Sequence, residues 1–198
     1  MKLLLAALLG ALAFFAWEFV AHTFMPLGEA GLDYLPKSDT VGSSLETAIG
    51  AKAGMYMFPT AGLTTAASNA EKQKGMERMM EEMKTKPSGL LVYKPAGTEF
   101  NFGKSLAIQF INDLAKALLA LALLAQTRLA TFGRRVGFVT LVGLLAAITT
   151  TVPYWNWYGF NSTFTLANIV MDVAGYFFAG LVIAALYKPE NSAISLKS

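Results

Sequence analysis

The chain contains no cysteine. That excludes a disulfide framework, a thiolate zinc site, an iron-sulfur cluster and a lipidated cysteine anchor. Histidine is almost as scarce: His22 is the single one, so bis-histidine haem ligation within one subunit and a multi-histidine metal centre cannot be built. Charged residues make up only 15% of 198, the net charge is +3, and no run of five like charges occurs. Nucleic acid is therefore not an expected partner. No Gly-x-Ser-x-Gly, phosphate-cradling loop, His-Glu-x-x-His or dinucleotide fingerprint is present. The expectation leans away from an enzyme, and the sequence requires no cofactor.

What is abundant is apolar. Hydrophobic residues reach 55% and the mean hydropathy is +0.47. A bilayer core about 30 Å thick needs roughly 20 helical residues. Four stretches satisfy that need, near Leu3–Met25, Ser105–Gln126, Val136–Pro153 and Thr163–Tyr187. Ala11-Leu12-Ala13 imitates a signal-peptidase site, but the apolar run continues well past it. The first stretch is expected to be a retained signal anchor.

Short loops rich in Lys and Arg stay cytoplasmic. Lys2, then Arg128, Arg134 and Arg135, then Lys188 and Lys197 all flank the same side of the four spans. Both termini are thus predicted cytoplasmic, in a bacterial inner membrane. The connection Tyr154-Trp155-Asn156-Trp157-Tyr158-Gly159-Phe160 becomes an outer loop whose rings anchor at the interface.

The remaining long segment should be extracytoplasmic. Ser43 and Ser44 before Leu45-Glu46-Thr47-Ala48 suggest a short helix start. The pattern from Ala66 to Lys86 is helical, and Leu90–Tyr93 with Thr98–Phe102 read as a hairpin through Pro95 and Gly97. The expected fold is an all-α membrane protein of four transmembrane helices, with a small extracytoplasmic α+β cap of two helices and a hairpin between the first and second. The boundaries are residues 1–25 for the first helix, 26–102 for the cap, and 103–198 for the other three helices with a cytoplasmic C-terminal tail.

Two constellations could carry chemistry. Met76, Met79, Met80 and Met83 repeat at i, i+3, i+4, i+7 on the second cap helix. Thioethers at that spacing can ligate Cu(I), but the same spacing is that of any amphipathic packing face, which is the preferred reading.

The second constellation lies within the spans, where each ionisable residue costs roughly 2.5 to 3.5 kcal/mol on insertion scales and so needs a reason. The first span carries Glu18 and His22, the second Gln109, Asn112, Asp113 and Lys116, the fourth Asn168 and Asp172. At about 1.5 Å per residue, Glu18, Asp113 and Asp172 fall about 10 to 15 Å below the outer ends and can share one layer. Three carboxylates against one ammonium leave two negative charges uncompensated if all are ionised. An enclosed site sustains that only with a bound proton or a cation. The competing reading is polar glue between helices.

Gly133 with Gly137, and Gly175 with Ala179, permit close helix approach. The preferred function is a non-enzymatic structural or accessory subunit that packs with lipid and with other membrane subunits or with itself. The alternative is a small transporter, proton relay or metal-handling protein using the Glu18, His22, Asp113 and Asp172 layer.

Overall fold

The structure, a computed structural model, describes residues 2–189. Lys197 and the tail at 190–198 lie outside the described residues. The chain divides into two units, Met1–Leu32 with Asn101–Ser198, and Asp33–Phe100. Pro26–Leu32 therefore belongs with the long helices.

The first unit holds four helices long and apolar enough to cross a membrane: α1 (Lys2–Thr23), α4 (Phe102–Ala125), α5 (Phe132–Tyr158) and α6 (Ser162–Leu186). Helix α1 packs on α4 and α6, and α6 packs on α5. Small residues set these approaches. A Cβ at Gly10 would meet Ile183 at 2.9 Å, one at Gly175 would meet the Phe14 ring at 2.6 Å, and one at Gly143 would meet the Tyr176 Cβ at 2.4 Å. Gly10 meets Ile183 while Phe14 meets Gly175, and Gly143 meets Tyr176 while Val139 meets Gly180, so α1 and α5 each run antiparallel to α6. One end of the bundle then gathers Tyr154, Trp155 and Trp157. The other gathers Lys2, Arg128, Arg134 and Lys188. The core between them is dry, built from Ala6, Ala7, Ala11, Leu121, Leu124, Val139 and Ile183.

Helix α5 corrects the expected aromatic loop, because it runs through Pro153 and includes Tyr154 to Tyr158. Proline forfeits one backbone hydrogen bond, but apolar spans tolerate it because neighbouring hydroxyls can re-satisfy the freed groups. Here the freed acceptor is the Thr149 carbonyl, whereas the hydroxyls of Thr149, Thr150 and Thr151 donate one turn earlier, to the carbonyls of Leu145, Ala146 and Ala147 at 2.6 to 2.9 Å. Gly159, at φ 70, ends the helix in the left-handed cap that other residues adopt only at a cost. Trp155 Nε1 then donates to Ser162 Oγ at 3.0 Å and ties the end of α5 to the start of α6.

The second unit contains α2 (Ser38–Ile49), β1 (Gly54–Phe58), α3 (Asn69–Glu82) and β2 (Gly89–Tyr93). The expected hairpin partner is wrong. β2 pairs antiparallel with β1, Gly54 opposite Tyr93 and Phe58 opposite Gly89, while Thr98–Asn101 form no strand. Asn101 is diverted to cap α4, its Oδ1 accepting from Lys104 N at 2.8 Å, and Phe102 opens that helix. Helix α2 starts at Ser38, earlier than expected, because Ser43 and Ser44 do not cap it. Their hydroxyls donate to Asp39 O and Thr40 O from inside the helix. Ser68 caps α3 with Glu71 in a reciprocal capping box.

Candidate functional site

The site is assembled on three helices. Asp113 belongs to the face of α4 that also buries Ala117, Ala120, Leu121 and Leu124, and it is fully buried. Lys116, one turn on, reaches back so that its ammonium lies 3.2 Å from Asp113 Oδ1 and 3.5 Å from Glu18 Oε1 of α1. Gln109, one turn before Asp113, donates from Nε2 to Glu18 Oε2 at 2.7 Å and to Asp113 Oδ1 at 3.0 Å. The i, i+3 and i, i+4 spacings of Gln109, Asp113 and Lys116 put all three on one side of α4.

The Phe14 ring floors the cluster, its centroid 4.3 Å from the Lys116 ammonium and 5.2 Å edge-on from Tyr176. Such a ring face attracts a partly desolvated cation. Asp172 on α6 is half-buried, and the ion pairs of Lys116 among the described residues are with Glu18 and Asp113 rather than with it. Trp17 Nε1 donates to the Met171 carbonyl at 2.9 Å and fixes α1 against α6 at this level. Asp113 Oδ2 is buried with no hydrogen-bond partner among the described residues, an unusual condition for a carboxylate oxygen.

A cavity of about 430 Å³ runs beside the cluster, between α1 and α4. Thr23 and Phe102, the terminal residues of the two helices, line one part of it, and Glu18 and Gln109 line another. Phe15, Phe19 and Leu106 supply apolar wall, and His22 a polar one. On the other side of the cluster lies the dry core.

Of the residues singled out from sequence, Glu18, Gln109, Asp113 and Lys116 are joined directly, and Asp172 makes no hydrogen bond or ion pair with them among the described residues. His22 borders the cavity, is exposed, and has no hydrogen-bond partner among the described residues; its ring abuts Gly28, where a Cβ would lie 2.0 Å from Nδ1. Asn168 Nδ2 donates to the Phe164 carbonyl of its own helix at 2.8 Å and stays out of the cluster. Asn112, at the flank of that side of α4, is exposed and takes no part in the cluster. On α3, Met76, Met80 and Met83 are exposed and Met79 half-buried, while Gly75 packs on Leu63. Among the described residues no three His, Cys, Asp or Glu side chains converge closely enough to hold a metal ion.

Sequence reasoning missed Arg135, counting it only as a loop charge. It is 4% exposed. Its guanidinium donates to Ala130 O at 2.6 Å, Leu129 O at 3.3 Å and Ala184 O at 3.1 Å. One cation thus satisfies carbonyls of the α4–α5 loop and of the last turn of α6, where the helix dipole favours positive charge. Its place one turn inside α5, directly before the apolar Val136, was the available signal. Phe14 and Tyr176 were missed too, since nothing separates them from other apolar core residues in sequence.

No protein-family model, curated protein or solved structure matches this chain.

Proposed function

We propose that this chain is an integral protein of a bacterial inner membrane that takes up a proton or a small cation at the Glu18–Gln109–Asp113–Lys116 cluster, from the extracytoplasmic side. The observation that carries the reading is the cavity, which extends from the ends of α1 and α4 to Glu18 and Gln109. Polar glue needs no access. A site that exchanges protons or cations does. The apolar, close-packed core on the other side of the cluster makes the access one-sided, which favours binding over passage across the membrane.

The charge balance supports the same reading. Lys116 is shared between Glu18 and Asp113, so the ionised cluster is short of positive charge and a low-dielectric site meets that shortage with a proton or a cation. Asp113 Oδ2, buried without a partner, is a natural position for that proton. Orientation follows from Lys2, Arg128, Arg134 and Lys188 at one end of the bundle and the tyrosines and tryptophans of α5 at the other. Residues 33–100 are then extracytoplasmic. Because the chain has no cysteine, a single cysteine at Ser68 should react with an impermeant reagent in intact cells and one at Ser195 should not.

The test of function is proton exchange by the purified protein in lipid nanodiscs. Wild type should take up protons on acidification in excess of Glu18→Gln, with both equally folded by circular dichroism. Equal uptake, together with no alkali-cation binding lost in Glu18→Gln, leaves the cluster as structural glue and overturns the proposal.

A further inference from the structure

Helix α4 uses one face for the bundle and turns another away from it. The outward face carries Ser105, Ile108, Asn112, Ala115, Leu119 and Ala122, spaced alternately three and four residues apart, and every one is exposed. That alternation is the heptad seam by which parallel helices pair. Asn112 stands near the midpoint of this 24-residue apolar helix. Its carboxamide has no hydrogen-bond partner among the described residues. In hydrocarbon an unpaired amide is costly, and polar side chains within spans turn toward protein.

We infer that this face of α4 is a self-association seam on which a second copy of the chain docks, with Asn112 opposite its own counterpart. Three features select a second copy as the occupant. A carboxamide is self-complementary, one donor group and one acceptor, so two asparagines related by a two-fold axis satisfy each other. Two copies inserted with the same topology present α4 in parallel, and an axis along the membrane normal puts like residues in register. The charged residues between Ser105 and Ala122 are only Asp113 and Lys116, and both are engaged on the inward side. No like charges therefore face each other across the axis. Ala115 and Ala122 keep the seam shallow enough for close approach of the two backbones. The inference is independent of proton binding, since Asn112 lies outside the cluster.

The experiment uses the full chain in native membranes and in nanodiscs. Single cysteines at Ala115 and, as a control on exposed α5, at Leu145 are oxidised in the membrane. Ala115→Cys should form a disulfide-linked dimer and Leu145→Cys should not. Asn112→Ala should weaken dimerisation about tenfold, measured by single-molecule photobleaching across protein density. Ala115→Leu, which fills the seam, should weaken it as well. The inference is overturned by a chain that stays monomeric at all densities, by a dimer that links through Leu145, by dimerisation indifferent to Asn112→Ala, or by cross-linking at Ala115 to a different protein only.

Discussion

The Lys116 ammonium lies 3.2 Å from one oxygen of Asp113 while the other oxygen of the same carboxylate is buried without a partner. Half of the carboxylate is compensated and half is not. A purely structural ion pair gains nothing from that asymmetry, since buried pairs stabilise only when their remaining lone pairs are also satisfied. On the proposed reading, the uncompensated oxygen is the one that gains a proton or meets a cation.

Removing the shared cation tests how far the cluster depends on it. Lys116→Met leaves Glu18 and Asp113 without their counter-charge and should cost about 3 to 5 kcal/mol, the loss typical of breaking a buried pair. Adding Glu18→Gln should recover part of that loss by removing one uncompensated carboxylate. Thermal unfolding in detergent measures both, and an unaffected single variant would show that the cluster's charges are solvated.

Arg135 is expected to matter for assembly of α5 and α6. Arg135→Ala strands the carbonyls of Leu129, Ala130 and Ala184 and should destabilise by about 3 kcal/mol, since each buried acceptor left unpaired costs roughly 1 to 3. Arg135→Lys retains the charge but not the fork that reaches both segments. It should lie between the two in unfolding temperature.

Glycines on the same helix should respond oppositely. A Cβ at Gly143 would sit 2.4 Å from Tyr176 Cβ, whereas one at Gly137 meets nothing within 4 Å. Gly143→Ala should therefore cost about 1 to 3 kcal/mol by overpacking. Gly137→Ala should leave stability unchanged or raised. Similar losses for both would mean that the open Gly133–Gly137 face is covered by a partner.

The α3 capping box predicts a pH effect outside the membrane. Ser68 Oγ and the Ser68 N–H both donate to Glu71 Oε2, at 2.7 and 2.8 Å, and hold its carboxyl below its ordinary value of 4.5. A depressed value means that the stability it contributes is complete above 4.5 and is lost as pH falls through the folded value. Amide protection factors in α3, which correct for the intrinsic exchange rate, should fall on acidification through that window, and Glu71→Gln should remove the dependence. Ser68→Ala should loosen α3 by about 1 kcal/mol above it.

Much was legible because membrane-length apolar runs dominate their own local structure. Once roughly 20 residues shun water, helix is the conformation that satisfies their backbone groups. Long spans were therefore readable, with their ends less so. Pro153 reads as a stop in a soluble context and lies inside α5, because in an apolar span helix still satisfies more backbone groups than any alternative. The second unit was harder. Its strands are five residues each and pair across α3, and the local turn residues Pro95 and Gly97 pointed to a nearer partner. Long-range pairing leaves no local mark when each strand is short and partly exposed.

By itself the sequence determined four apolar helices, the grading from basic to aromatic residues along them, and the presence of too many acids for the available cations. Composition and periodicity decide these, because they are properties of single segments. Only the tertiary structure decided which polar residues meet. Rotations of about 100° per residue separate Asn112 from Asp113 on α4, and that single step sends one outward and buries the other against Glu18, Gln109 and Lys116. The same packing buried Arg135 and opened a cavity at Glu18. Those outcomes depend on how Gly10, Gly143 and Gly175 let neighbouring helices close, which no single segment contains.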